Sequence, residues 1–402
     1  MRIIHARVAS RIALGIVLAT LLAAAQANHY ILPCGDEPCT PDGSATDIAI
    51  GSPGAVTTDS HGNVYFSSPS LVYRLDAHGK LSRIAGSSTS GFAGDGGPAT
   101  DALLNFPATY AEYEADPYDW YELVGGLAAD AAGNVYIADA YNHRVRKVDA
   151  SGTITTFKDQ AGWPVGVALA GDGRLVVSEM FGTVYWVAVG GHWEVLTSAN
   201  CGHYLDPGVC VPGQPAIDGD GNVLVGDGYC RVRRIGPNGS VATIAGDDAR
   251  PSGTGFAFTC GYSGDGGPAR LAALANLPYA VAVDRDNNVF IADTENQCIR
   301  KVDRSYVITT FAGRCTQWGF DGDGGPATSA LLFSPHGIAV DRDGNVYIAD
   351  TGNNRIRKVD AKGMIETIAG NGDAMPDVLP AVEDPPIRSE RHFPAPVLRR
   401  QR

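Results

Sequence analysis

From Gly337 to Gly370 the chain alternates short apolar runs with polar turns: GIAVD, the turn DRDG, NVYIAD, a polar loop, NRIRKVD, the turn AKG, then MIETIAG. Within each run apolar residues recur at every second position, and Gly, Asn and Asp separate the runs. That pattern predicts four antiparallel strands joined by tight turns, and it does not fit helices.

The pattern returns along the chain. Its clearest copy starts at Pro335, and the neighbouring copy PYAVAVDRDNNVFIADTENQCIRKVDRSYVITTFAG starts at Pro278. Others begin near Pro53, Gly126 and Pro215, with a degenerate one at Pro164, six in all. Six units of four strands predict an all-β fold, a six-bladed β-propeller of four-stranded antiparallel blades. The recurring GxAVDxxGNVYIADxxNxRIRKVD resembles NHL repeats. A second element, GDGGPA, recurs between blades at Phe92, Tyr262 and Phe320, with a worn copy, DGSATDIAIGSP, from Asp42. Similar loops occur in secreted bacterial NHL proteins and in the NHL segment of teneurins. The stretch Ala45 to Ile50 also reads as a spare outer strand, since ATDIAI resembles IETIAG, so two ways of closing the ring stay open.

The ends change character. Arg2, Arg7 and Arg11 precede IALGIVLATLLAAA, and Ala25-Gln26-Ala27 supplies small residues for a cleavage site. Residues 1–27 are therefore expected to be a signal peptide, 28–51 a Cys-containing lead-in, 52–372 the propeller and 373–402 a Pro-rich flexible tail. The mature chain is expected to be secreted or periplasmic, without a membrane span. Lys and Arg number 31 against 44 Asp and Glu, a formal charge of -13. So acidic a chain has no general attraction to phosphate backbones, and nucleic acid is not an expected partner.

Eight cysteines fit an exported chain. Blade geometry pairs them locally as Cys34–Cys39, Cys201–Cys210, Cys230–Cys260 and Cys298–Cys315, with Cys210–Cys230 as the competitor.

In such a meander the strand two-to-three loops and the blade-to-blade crossovers open on one face, while the other face holds only tight turns. The inserted loops are expected to converge on the first face, which makes it the candidate binding surface. The insert YAEYEADPYDWYE sets Tyr113 and Trp120 among carboxylates, a composition suited to stacking on sugars or holding a cation. Val225 to Cys230 resembles the segment of peptidylglycine amidating lyase that carries its catalytic tyrosine, which would put that role on Tyr229. Ser334-Pro335-His336 resembles the same family's zinc-binding PH dipeptides. By that resemblance His336 is a metal candidate, and His143 and His203 share its face. Tyr279 stands where a second such histidine would fall, and catalytic zinc needs about three protein ligands. The DxDG turns at Asp220, Asp284 to Asp286 and Asp341 to Asp343 admit a calcium reading but are better explained as hairpin turns. The sequence therefore predicts a secreted, non-catalytic recognition propeller for a protein, peptide or glycan, with no cofactor expected. Tyr113, Trp120, Tyr229 and His336 are its expected contact residues. The alternative is a lyase or hydrolase at the channel mouth with a divalent metal, zinc or calcium, using Tyr229 and His336.

Overall fold

The computed structural model describes residues 44–106, 125–188, 192–198, 209–246 and 260–375. They form six four-stranded antiparallel sheets, each built from consecutive strands. Blade one comprises β1 (Val56–Thr58), β2 (Val64–Ser68), β3 (Leu71–Leu75) and β4 (Leu81–Gly86); blade two comprises β5 (Leu127–Ala129), β6 (Val135–Asp139), β7 (Arg144–Val148) and β8 (Ile154–Lys158). Blade three comprises β9 (Pro164–Leu169), β10 (Leu175–Glu179), β11 (Thr183–Val187) and β12 (Trp193–Ser198). Blade four comprises β13 (Ala216–Ile217), β14 (Val223–Asp227), β15 (Arg231–Ile235) and β16 (Val241–Ala245). Blade five comprises β17 (Val281–Val283), β18 (Val289–Asp293), β19 (Cys298–Val302) and β20 (Ile308–Ala312). Blade six comprises β21 (Pro335–Val340), β22 (Val346–Asp350), β23 (Arg355–Val359) and β24 (Ile365–Ala369). The innermost strands β1, β5, β9, β13, β17 and β21 contact one another in sequence, and β21 returns to β1. The ring is closed, and the all-β six-bladed propeller predicted from the repeats is the fold.

The DRDGN turns explain why the sequence repeats as it does. Asp341 Oδ1 accepts the backbone N–H groups of Asp343 and Asn345 at 2.9 Å each, and its Oδ2 accepts from Asn345 Nδ2 at 2.7 Å. Asp59, Asp130, Asp218 and Asp284 do the same in their own blades. The turn needs one left-handed residue, Gly344 at φ +82° in blade six, and Asn287 fills that place at φ 57° in blade five. These carboxylates are thus engaged by their own turns, which is the hairpin chemistry expected of them.

Both faces of each sheet are covered, so the second strands are buried at nearly every position. Apolar cores lie between adjacent blades, one at each of the six interfaces. Near the hub the inner strands touch backbone to backbone. A Cβ on Gly126 would lie 2.6 Å from Gly166 Cα, and one on Gly337 would lie 2.7 Å from the Gly54 carbonyl oxygen. Only glycine permits that approach.

The structure also decides between the two ways of closing the ring. Ala45–Asp47 is a 3-10 turn, not a strand, and it packs on β24. Gly370 N donates to the Ala45 carbonyl at 3.0 Å, as Gly313 N does to Ala327 at 2.9 Å and Gly246 N to Ala269 at 3.0 Å. The lead-in is therefore a fourth copy of the inter-blade insert, laid across the seam between blade six and blade one. Ile50, fully buried, fills the core between those blades beside Ile356 and Ala369.

Candidate functional site

The GDGGPA loops were expected to open on the candidate face, and the structure corrects this. Each folds into a 3-10 turn, Ala99–Asp101, Ala269–Leu271 or Ala327–Ser329, wedged between neighbouring blades. Ala269 takes the Gly246 N–H of blade four on its carbonyl and donates its own N–H to Tyr306 O in the β19–β20 turn at 2.7 Å. Ala327 bridges Gly313 and Gly363 in the same way, and Ala99 N donates to Gly152 O at 2.8 Å. The inserts thus run away from the face on which they begin, to the tight turns of the opposite face. They staple neighbouring blades together.

Buried charge locks each staple. Arg146, Arg300 and Arg357 are fully buried on the third strands. Arg300 reaches Asp265 of its insert at 2.6 Å and Asp293 at the end of the second strand at 3.4 Å. Arg357 joins Asp323 and Asp350 at 2.8 and 3.1 Å, and Arg146 joins Asp95 and Asp139 at 2.8 and 3.3 Å. Asn142, Asn296 and Asn353 tie the same second-strand aspartates to the insert carbonyls of Gly91, Gly261 and Gly319. Phe92, Tyr262 and Phe320 cap the guanidinium groups of Arg146, Arg300 and Arg357, with ring centroids 5.0, 4.8 and 4.9 Å away. Burial pushes Asp139, Asp293 and Asp350 up to about 6 against the pull of their hydrogen-bond donors and the arginine. Burial also acts upward on the half-exposed Asp265, but bonds from Thr310 and the Arg300 charge outweigh it and hold the group below the usual carboxylate range. Blade one has Tyr73 in the arginine's register and Ser68 in the aspartate's, so both charges are absent together.

With the inserts taken up, the face opposite the tight turns is built from the strand two-to-three loops and the short crossovers. Between blades two and three it carries a group of rings. Tyr141 and His143 of the β6–β7 loop stand edge-on to Trp163 of the crossover, with centroids 5.0 and 4.9 Å away. Met180 N donates to Trp163 O at 3.0 Å, and Phe181 follows it, 64% exposed. Glu179 Oε1 accepts Gly162 N at 2.7 Å and fixes the crossover from below. Over blades five and six the same face carries Trp318, 67% exposed, stacked obliquely on Phe333.

The sequence-derived site residues are spread over this face and do not form one cluster. His336 is buried: its Nδ1–H donates to the Ser334 carbonyl at 2.7 Å and its ring lies 4.4 Å from that of Tyr279. Tyr229 is half-buried in the β14–β15 loop, its ring 5.5 Å from the Arg231 guanidinium. His143 is exposed, with Nδ1 turned to the Gly162 carbonyl. Tyr113, Trp120 and His203 lie outside the described residues. Among the described residues no three His, Cys, Asp or Glu side chains converge as metal ligands would. Sequence reasoning missed Trp163 and Phe181 because they sit in the degenerate blade, where the repeat offers no template, and Tyr141 because its position varies, being Glu295 in blade five and Gly352 in blade six.

Two expected disulfides are present, Cys230–Cys260 and Cys298–Cys315, with Cα atoms 5.4 and 5.0 Å apart. The first excludes the Cys210–Cys230 alternative. Cys34, Cys39 and Cys201 lie outside the described residues.

Fold and repeat together make this protein an NHL-repeat β-propeller. The NHL repeat family matches residues 124–148 and 276–302, and the teneurin NHL domain matches residues 314–387. Teneurin-3 of Danio rerio is 30% identical over 218 residues, 52% of this chain and 7% of that protein. Teneurin-4 of Mus musculus is 34% identical over 168 residues, 38% of this chain and 5% of that protein. The chain thus spans a small fraction of the curated relatives it matches. A solved protein of unknown function from Bacteroides thetaiotaomicron superposes with a TM-score of 0.59 at 18% identity, covering 79% of this chain and 72% of that one. That likeness is one of fold.

Proposed function

We propose that this is a secreted, non-catalytic recognition propeller that binds a protein, peptide or glycan on the face opposite its tight turns. The observation that carries the reading is the state of the residues on that face. The histidine that a lyase would need at the channel mouth, His336, is only 2% exposed and hydrogen-bonded to its own loop. The exposed groups are aromatic rings on short, hydrogen-bonded connections, which bury large area with few rotatable bonds. Tyr113 and Trp120 lie outside the described residues; their inclusion as contacts rests on the described residues that flank their segment, since Asn105 accepts from Tyr141 N of the β6–β7 loop on that face. Two disulfides and the teneurin relatives are compatible with an extracellular setting, and no helix among the described residues is long and apolar enough to cross a membrane.

The test is capture of a partner from extracellular material by the folded mature protein, with metal analysis of the same preparation. A saturable partner bound equally well before and after chelation is the expected result. Stoichiometric zinc or calcium lost together with a turnover activity would replace recognition with the lyase or hydrolase alternative.

A further inference from the structure

The seam between blades two and three lacks the segment that staples other seams. Only residues 159–163 join β8 to β9, and the GDGGPA insert that precedes blades two, five and six is missing. Where the insert is present, it pairs with the opening residue of the fourth strand. Gly266 N donates to Ile308 O at 2.8 Å and Ile308 N to Gly267 O at 3.0 Å; Ile154 and Ile365 make the same two bonds in blades two and six. Gly266 does so from a left-handed backbone, φ +79°, which favours glycine. The insert also takes the N–H that follows the previous blade's fourth strand, as Ala327 O takes that of Gly313.

Blade three keeps the receiving geometry. Trp193 pairs with Val187 as Ile308 pairs with Val302, and Ala188 N donates to His192 O as Asp303 N does to Val307 O. The Trp193 N–H and C=O therefore face the outer edge, where no group among the described residues takes them. The N–H of Asp159, the counterpart of Gly313, is likewise unpaired among the described residues. An open strand edge is a template for another extended chain.

The side chains set what fits there. In blade five Arg300 and Thr310 bind Asp265 of the insert. In blade three the same register holds neutral Tyr185 and Val195, with Glu179 in the place of Asp293. An incoming carboxylate would lose both partners and keep the repulsion. Trp193 and Val195, 52% and 45% exposed, gain instead from an apolar neighbour. Lys158, its ammonium 5.9 Å from the Trp193 ring centroid, is bonded to the Asp159 carbonyl.

We infer that the outer edge of β12 takes an extended, glycine-containing segment of a protein partner, with an apolar residue where the insert has Asp265. This surface lies on the rim of the ring, and it stands or falls independently of binding on the ring-bearing face. The experiment titrates the full mature chain with three labelled peptides, read by fluorescence anisotropy. The first copies residues 262–272, the second replaces Asp265 by Leu, and the third is the second with the Gly266 nitrogen methylated, so that it cannot donate to Trp193 O. The second is expected to bind about tenfold more tightly than either of the others. Trp193→Pro removes the outward N–H without touching a ladder bond and should weaken the second peptide about tenfold, with an unchanged circular dichroism spectrum showing that the variant folds. Should that variant not fold, the methylated peptide on the wild-type chain still decides. Equal binding of the methylated form, preference for the Asp265 form or no binding by any peptide would overturn the inference. A dimer that Trp193→Pro turns into a monomer would give the edge to a second copy of this chain and overturn it as well.

Discussion

Arg300 shows how a repeat can look functional and be structural. A basic residue recurring on third strands suggests a charged surface, yet Arg146, Arg300 and Arg357 are fully buried between two carboxylates each. Removing one partner of such a set leaves the other charge buried and uncompensated. Arg300→Met is expected to cost about 3–5 kcal/mol in urea unfolding. The double change Arg300→Met with Asp293→Asn should cost clearly less than the sum of the two single changes, because it removes the stranded charge. Blade one, with Tyr73 and Ser68, is the chain's own precedent for losing both charges together. Additive costs would refute the coupling.

The same residues set a pH dependence. Asp139, Asp293 and Asp350 are raised to about 6 by burial, above an ordinary value of 3.8. Between those values the native state holds protons that the unfolded chain has released. Stability from these groups is therefore greatest at the acid end of that window and falls as pH rises through it, levelling off above about 6. Asp265 runs the other way: its folded value is depressed, so its contribution is present above 3.8 and lost as pH falls below. Unfolding free energy should thus rise from about pH 7.5 to about pH 5, and Asp→Asn at the three buried positions should flatten that rise. A wild-type stability that falls steadily over the same interval would contradict the assignment.

The element that decides the architecture is the insert. Turn residues and two-residue periodicity made the strands legible, because each DRDGN carboxylate is satisfied within its own turn and needs no tertiary information. Where the inserts go was not legible: GDGGPA reads as an exposed loop until Arg300 and Thr310 are seen to hold Asp265. Closure of the ring was undecided for the same reason, since ATDIAI fits a strand and a staple equally well. The local hydrogen bonds of Ala45 and Ile48 to Gly370 and Asn371 resolve it. If the lead-in closes the ring, Ile50→Ala opens a cavity at the seam between first and last blades, and a loss of about 3 kcal/mol is expected. Amide exchange should then quicken first in β24 and β1. Faster exchange confined to another blade pair would place the closure elsewhere.

At the scale of the whole molecule, the two faces differ in kind. One is a set of carboxylate-braced turns tied to the staples. The other offers rings at Tyr141, Phe181 and Trp318 on rigid connections, with the long crossover containing Tyr113 and Trp120 rooted beside them. The candidate site was legible from sequence only at this level. Topology pointed to a face, but the individual rings stand at positions the repeat does not template: Tyr141 stands where blades five and six have Glu295 and Gly352, Phe181 lies in the degenerate third blade and Trp318 in a crossover, and the lyase resemblance drew attention to a histidine that the fold buries.

The central claim, recognition on the ring-bearing face, is tested most directly by comparing partner affinity across the two faces. Trp120→Ala and Tyr113→Ala are made beside a control at the exposed turn residue His78 on the opposite face. The account predicts that the aromatic changes each weaken binding by about thirtyfold, on the order of 2 kcal/mol, while His78→Ala leaves it unchanged. Binding weakened at His78 and untouched at Trp120 and Tyr113 would put the partner on the tight-turn face and contradict the account.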